Sequence, residues 1–314
     1  MSADSPSLTG LIAAELVEPV VPAATAMADH LAARGGGTVA AVLFYGSVLR
    51  TGDLDGILDF YVLVDRLTDW HARPAHAFLN GRLPPNVEYW ELPWQGRIVR
   101  AKVAIMSRAQ FARAVRPDSL DTTIWARFCQ PARLIYAREA AMWDWAAEAV
   151  AQAVTTAAGW AVRLGPAEGT ARDYWDALFR HTYAAELRVE KGERAGHIVD
   201  SFPGRYERLL RPSLTKGGVD IVELEDGRIR PGIDPTERDR ARRAWGRRRM
   251  AGKPLNIARL VKAAFTFTGG VDYLAWKVER HSGVRVELSP WQRRHPILAS
   301  PVVLWRLWRK GAIR

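Results

Sequence analysis

Apolar positions along the chain fall into two regimes, with a change near residue 140. Before it, short apolar runs alternate with helix-period segments. Leu8 to Ala33 carries helix-spaced Leu11, Leu16, Met27 and Leu31, interrupted by Pro19 and Pro22 and closed by Gly35-Gly36-Gly37. Val39–Phe44 and Ile57–Val64 are continuous apolar runs of strand length, rich in β-branched and aromatic residues, and predict two buried strands. Thr68 or Asp69 caps a predicted helix to Leu79. Val87–Leu92 and Arg97–Ile105 predict two strands joined by the turn Pro93-Trp94-Gln95-Gly96. Ser107 caps a helix to Val115, a further helix covers Leu120–Phe128, and Ala132–Tyr136 is a last short strand. Strands interleaved with helices in this way predict an α/β (α+β) domain with a mixed sheet, residues 1–140.

Beyond it the helical period dominates. Ala140–Leu164 and Ala171–Lys191 predict two long amphipathic helices, and Arg205–Leu210 a third. Val219–Val222 predicts a small strand before Asp226-Gly227. Pro235–Met250, loaded with arginine, and Leu255–Phe267 predict separate helices, and Val271–Arg280 another. The pattern divides this half into a helical domain, residues 141–252, and a C-terminal helical region, residues 253–314.

Composition narrows the classes. With 314 residues, 48% of them hydrophobic and 13 of them Trp, the chain is long enough for two folded domains. One cysteine, Cys129, excludes an internal disulfide and any cysteine-cluster metal site. The net charge of +11 points to an anionic partner. The arginines of 235–250 read as a solvated helix face, with an anion-facing patch as the alternative. Residues 289–314 hold no acid and combine Arg293, Arg294, Arg306, Arg309, Lys310 and Arg314 with Trp291, Trp305 and Trp308. Such a tail fits a helix lying in an anionic membrane interface. Residues 1–10 contain Asp4 and no Lys or Arg, and no run approaches the about 18–20 apolar residues that span a bilayer. A soluble or membrane-peripheral protein is expected.

The chemistry concentrates between the first two strands. Tyr45-Gly46-Ser47 ends a strand and opens a short helical turn, where a glycine lets backbone N–H groups approach a phosphate. Asp59 lies on the adjacent predicted strand, where a carboxylate can hold a divalent metal over that phosphate. This is the layout of a nucleotidyltransferase site. Many such sites place two acids one residue apart on this strand; here the first position is Ile57. Asp55, in the preceding loop, is the candidate second metal ligand, and Asp53 a weaker one that also shapes the turn.

Tyr45-Gly46-Ser47, followed by Ile57-Leu58-Asp59-Phe60 and Trp70-His71, resembles the mitochondrial-type phosphatidate cytidylyltransferase family. The likeness continues through Gly96-Arg97-Ile98-Val99 to Lys102 and Ser107, and through Arg127-Phe128-Cys129-Gln130-Pro131. It extends to His181-Thr182-Tyr183-Ala184-Ala185-Glu186-Leu187-Arg188 and to Lys262 with Phe265-Thr266-Phe267-Thr268-Gly269. Ala185-Glu186 stands where that family has Gly-Asp. The resemblance implies a nucleotidyltransferase-like domain followed by a helical, winged-helix-like one. It also implies a Mg²⁺-dependent reaction of CTP with phosphatidic acid to CDP-diacylglycerol. The lack of an arginine-rich transit segment and the Ala/Arg-rich composition point to the cytoplasmic face of a bacterial membrane, and no recognised nucleic-acid module accompanies the charge, so no nucleic-acid partner is expected. On the basis of the resemblance Gly46, Ser47, Asp59 and Lys102 are expected to be catalytic, Tyr45, Arg188 and Lys262 to contact substrate, and Asp59 with Asp55 to hold metal. The reduced carboxylate set suits the acceptor. A phosphomonoester, with its second pKa at about 6, is already anionic at neutral pH and needs little general-base help. A nucleotidyltransferase acting on a hydroxyl, and a catalytically silent lipid- or nucleic-acid-binding protein, are the alternatives.

Overall fold

A computed structural model describes residues 6–185, 194–283 and 286–294, together with Val302, Trp305 and Arg309. Helices α1 (Leu8–Leu16) and α2 (Pro22–Gly35) come first, with Pro22 in the opening turn of α2. Strand β1 (Val39–Tyr45) follows, then the five-residue α3 (Ser47–Thr51) and β2 (Leu58–Val64). The helix expected over 68–79 is two pieces, α4 (Leu67–Trp70) and α5 (Pro74–Arg82). Pro74 disfavours helical geometry at the residue before it, and Arg73 is extended at φ −106°, ψ 121°. Strands β3 (Asn86–Trp94) and β4 (Arg97–Ser107) form the predicted hairpin. Ser107 and Gln110 make a reciprocal capping box at the start of α6 (Arg108–Ala114). Helix α7 (Thr123–Phe128) and β5 (Ala132–Ala137) complete the first half.

The sheet order is β3-β4-β2-β1-β5, with β2 and β4 parallel and the other neighbours antiparallel. It is a mixed sheet, as the pattern predicted. β1 and β2 lack alternation because both faces are covered. Val42, Phe44, Phe60 and Val62 pack under α2, with Met27 and Leu31. Leu43, Tyr61 and Leu63 pack on the other face against α1, α6, α7 and the long α8 (Ala140–Leu164).

In the second half, α9 (Ala171–Ala185) begins where predicted; its expected end at Lys191 lies outside the described residues. Helices α10 (Arg194–Ser201) and α11 (Pro203–Lys216) extend well beyond the Arg205–Leu210 segment that the periodicity marked. A small hairpin follows, β6 (Ile221–Glu223) and β7 (Ile229–Pro231), turning at Gly227 with φ 78°. Only its first strand was legible, since three residues carry too little pattern. The two helices expected over 235–267 are one, α12 (Pro235–Thr266), so the boundary at residue 252 falls inside a helix. Pro254 removes the bond to the Met250 carbonyl, but Met250 is 77% exposed and water can satisfy that oxygen. Helices α13 (Gly270–Ser282) and α14 (Pro290–Arg294) follow, and most of the basic, aromatic tail lies outside the described residues.

The arginine run of α12 divides by role. Arg248 is buried, stacks on Trp160 at 4.3 Å and donates to the Ser119 and Pro117 carbonyls. Arg238 donates to the Gly165 and Pro166 carbonyls. Further along α12, Lys262 Nζ donates to the Leu83 and Pro85 carbonyls, each at 2.6 Å, and Arg259 to the Pro84 carbonyl. After α12 the chain joins the sheet edge, with Tyr89 N donating to the Thr268 carbonyl at 2.9 Å. Gly269 makes that approach feasible. Its φ is +72°, and a Cβ there would meet the Tyr89 carbonyl oxygen at 2.6 Å.

A buried ion cluster joins the two halves. Arg205 on α11 donates to Glu15 of α1 at 2.6 Å and to the Cys129 carbonyl at 2.8 Å. Arg133 of β5 lies 3.9 Å from Glu15 and also pairs with Glu18. Among the described residues no helix is long and apolar enough to cross a membrane.

Candidate active site

Strand register assembles the site. Tyr45 on β1 is paired with Asp59 on β2, Asp59 with Lys102 on β4, and Lys102 with Tyr89 on β3. Directly opposed residues project from the same face of a sheet, so these four side chains form one row across it. The face is that of Tyr61 and Leu63, opposite to α2. Gly46 closes one end. Its φ is +96°, and a Cβ there would lie 2.6 Å from Asp59 Oδ2. Only glycine lets the backbone come this close to the carboxylate.

Asp59 and Lys102 are both largely enclosed, yet neither has a hydrogen bond or an ion pair with any described residue. Burial pushes the Asp59 carboxyl above its ordinary range, against the pull of Lys102, Arg127 and Arg50. Burial pushes the Lys102 ammonium down. Asp59 opposes that shift, while the positive charges of Arg127 and Lys277 reinforce it. Three cations thus act on one carboxylate, and a fourth, Lys277, acts on its lysine neighbour. Arg127 is fixed over the Tyr45 and Tyr61 rings, at 5.4 and 5.8 Å, and donates to Tyr61 Oη at 2.6 Å. Helix α13 lies over the far end, with Tyr273 against Tyr89 at 5.7 Å between ring centres.

The structure therefore brings Tyr45, Gly46, Asp59 and Lys102 together, with Ser47 exposed at the start of α3. Asp55 is elsewhere in character. Its side chain is 82% exposed, accepts from Arg97 at 2.7 Å, and sits in a turn where Asp53 Oδ1 caps its N–H. Lys262 is tied to the 83–85 loop rather than directed at the row. Arg188 lies outside the described residues. Sequence reasoning missed Arg50, Lys277 and Tyr273 as site residues, and quoted Arg127 without giving it a role. The signals were there: Arg50 is three residues after Ser47, and Tyr273 and Lys277 are four apart, on one helical face.

Among the described residues no group of three or more His, Cys, Asp or Glu side chains is placed to hold a metal ion. Asp59 alone fits a Mg²⁺ ion that takes its other ligands from phosphate oxygens and water, which is how nucleotide-bound Mg²⁺ is commonly held. The donor set does not fit an ion held by protein alone.

His71 lies on the other face of the sheet and is wired into the core. Asn80 Nδ2 donates to its Nε2 at 3.0 Å, so Nδ1 carries the proton, 3.8 Å from Glu88 Oε1. Glu88 accepts the indole N–H groups of Trp70 and Trp90 at 3.0 and 3.1 Å. Burial, with the nearby charges of His76, Arg34 and Lys262, lowers the His71 pKa to about 4. The unfolded chain therefore binds a proton near pH 6.5 that the folded one refuses. Stability from this group is complete above 6.5 and falls as the pH drops toward 4, by about 3 kcal/mol in all. Urea unfolding across that window should show the loss, and His71→Asn should flatten it.

No protein-family model matches the chain, and no curated protein matches it.

Proposed function

We propose that the protein is a membrane-peripheral CTP:phosphatidate cytidylyltransferase, with a nucleotidyltransferase-like sheet domain and a winged-helix-like helical domain behind it. The observation that carries the reading is the Asp59–Lys102 pair: an enclosed carboxylate and ammonium without partners among the described residues, under the influence of further cations. A surplus of fixed positive charge beside one free carboxylate suits a polyphosphate that arrives with its own divalent ion. Mg²⁺, when bound through Asp59, would draw charge from the triphosphate. Lys102, Arg127, Arg50 and Lys277 would offset the repulsion between two anionic substrates. Tyr61 and Tyr45 hold the Arg127 guanidinium in place. A phosphatidate phosphate oxygen bonds to the α-phosphorus of CTP while the bond from that phosphorus to the α–β bridging oxygen breaks, releasing pyrophosphate. No second acid of the row stands ready to take a proton from a hydroxyl acceptor, which favours the phosphate nucleophile. The choice of CTP and of phosphatidic acid rests on the motif resemblance.

The test is pyrophosphate release from each of the four nucleoside triphosphates, with and without phosphatidic acid vesicles. Release that requires both CTP and the lipid is expected. Turnover independent of lipid would point to another acceptor and defeat the proposal. With no turnover and no rise in melting temperature from Mg²⁺ plus CTP, the silent-scaffold reading would stand instead.

A further inference from the structure

The C-terminal half of α12 is an amphipathic helix turned inside out. Arg259, Lys262 and Thr266 share the face that packs inward, with the two cations bonded to the 83–85 carbonyls and Thr266 buried. Ile257, Leu260, Val261 and Phe265, spaced as one apolar stripe, face outward and are each more than half exposed. Solvent is a poor neighbour for such a stripe.

Phe265 also lines a cleft of about 730 Å³ on the α2 face of the sheet edge, the face opposite to Asp59. Arg34 and Arg73 line the same cleft and have no carboxylate partner among the described residues; Arg34 stacks on Trp70 at 4.4 Å and donates to its carbonyl. The two acids that reach the cleft are already engaged. Glu88 accepts an indole N–H on each oxygen, and Asp272 pairs with Arg293 at 2.9 Å. His71 is neutral at physiological pH, and burial also lowers the pKa of His76. The cleft is therefore positive at its mouth, and the apolar stripe runs on from its wall.

We propose that this face docks on an anionic lipid bilayer, with the α12 stripe entering the acyl boundary and a lipid phosphate seated between Arg34 and Arg73. Apolar side chains beside unpaired arginines match the two layers of a leaflet, hydrocarbon and phosphate. A second copy of the chain fits less well, because its own arginines would face these across the contact. Arg293, at the start of the basic tail, reaches the same cleft through its pair with Asp272. The surface rests on the peripheral-membrane part of the proposed function and concerns anchoring alone: it lies on the face opposite to the Asp59 row, and its test involves no turnover.

Cosedimentation of the full chain with phosphatidylcholine vesicles, with and without added phosphatidylglycerol, reads the surface directly. Binding is expected only with the anionic lipid. The exposed double substitution Leu260→Asp/Phe265→Asp should weaken it at least about tenfold. Arg73→Gln should weaken it about fivefold, and serves as the independent reading if the double variant folds poorly. Thermal melts of both variants check the fold. Wild-type levels of binding in the two variants would overturn the proposal, as would equal binding to neutral vesicles or none to either. So would a wild-type dimer, by light scattering, that the double substitution dissolves. None of these outcomes bears on CTP chemistry, so the surface and the reaction fail separately.

Discussion

Asp59→Asn is expected to reduce CTP- and lipid-dependent pyrophosphate release by about 10²–10³-fold, the scale seen when one preorganised electrostatic group is removed from an active site. The substitution keeps the shape and leaves Gly46 its close approach. It removes the negative charge from a site where three positive groups act on the carboxylate and a fourth on its lysine neighbour. Nucleotide binding alone need not weaken, since the cations remain, so the loss should appear in kcat more than in KM. The pH profile provides a second reading. The ionised carboxylate must persist for activity, and burial raises its pKa, so the acid limb of kcat/KM should lie above the ordinary Asp range. Lys102 is pushed the other way, so the alkaline limb should come below the ordinary lysine range. An Asp59→Asn enzyme with wild-type kcat would remove this residue from the mechanism.

Arg205→Leu should destabilise the protein by about 3–5 kcal/mol, the cost of breaking a buried ion pair from one side. Glu15 is 6% exposed and, among the described residues, would keep Arg133, at 3.9 Å, as its one cationic partner. The Cys129 carbonyl would lose its donor as well. The cost belongs mainly to the stranded carboxylate. Glu15→Leu combined with Arg205→Leu should therefore recover much of the loss, and urea denaturation of the two single variants and the double measures the coupling. Additive losses would mean that the pair is not what joins α1 to α11.

The sequence announced the sheet through runs that could only be buried strands. Val39–Phe44 and Ile57–Val64 are apolar on both faces, which a half-exposed strand is not. It also announced Gly46 and Asp59, since both belong to a local motif. It could not announce the row. Lys102 meets Asp59 through β2–β4 register, and Tyr89 meets Lys102 through a hairpin register set by a turn; neither is written in any one segment. Arg50 and Lys277 come to the row from different elements for the same reason. Lys262 is a different case: a motif position suggested a substrate contact, and in the fold its ammonium holds two loop carbonyls. The separation expected between Met250 and Leu255 did not occur because the cost of Pro254 inside the helix depends on whether Met250 faces water, which periodicity does not record.

The stitching of residues 259–268 onto the 83–89 segment has a temporal consequence. Until Thr268 is in place, the Tyr89 N–H on the outer edge of β3 lacks its cross-chain acceptor. At roughly 5–20 residues per second, the ribosome needs about 10–40 s to make the chain that separates them. For that interval the nascent sheet has an open, hydrogen-bonding margin, the kind that recruits strands from other chains. The N-terminal domain is thus the first to be made and among the last to be finished, and its safe passage depends on whatever shields that margin during synthesis.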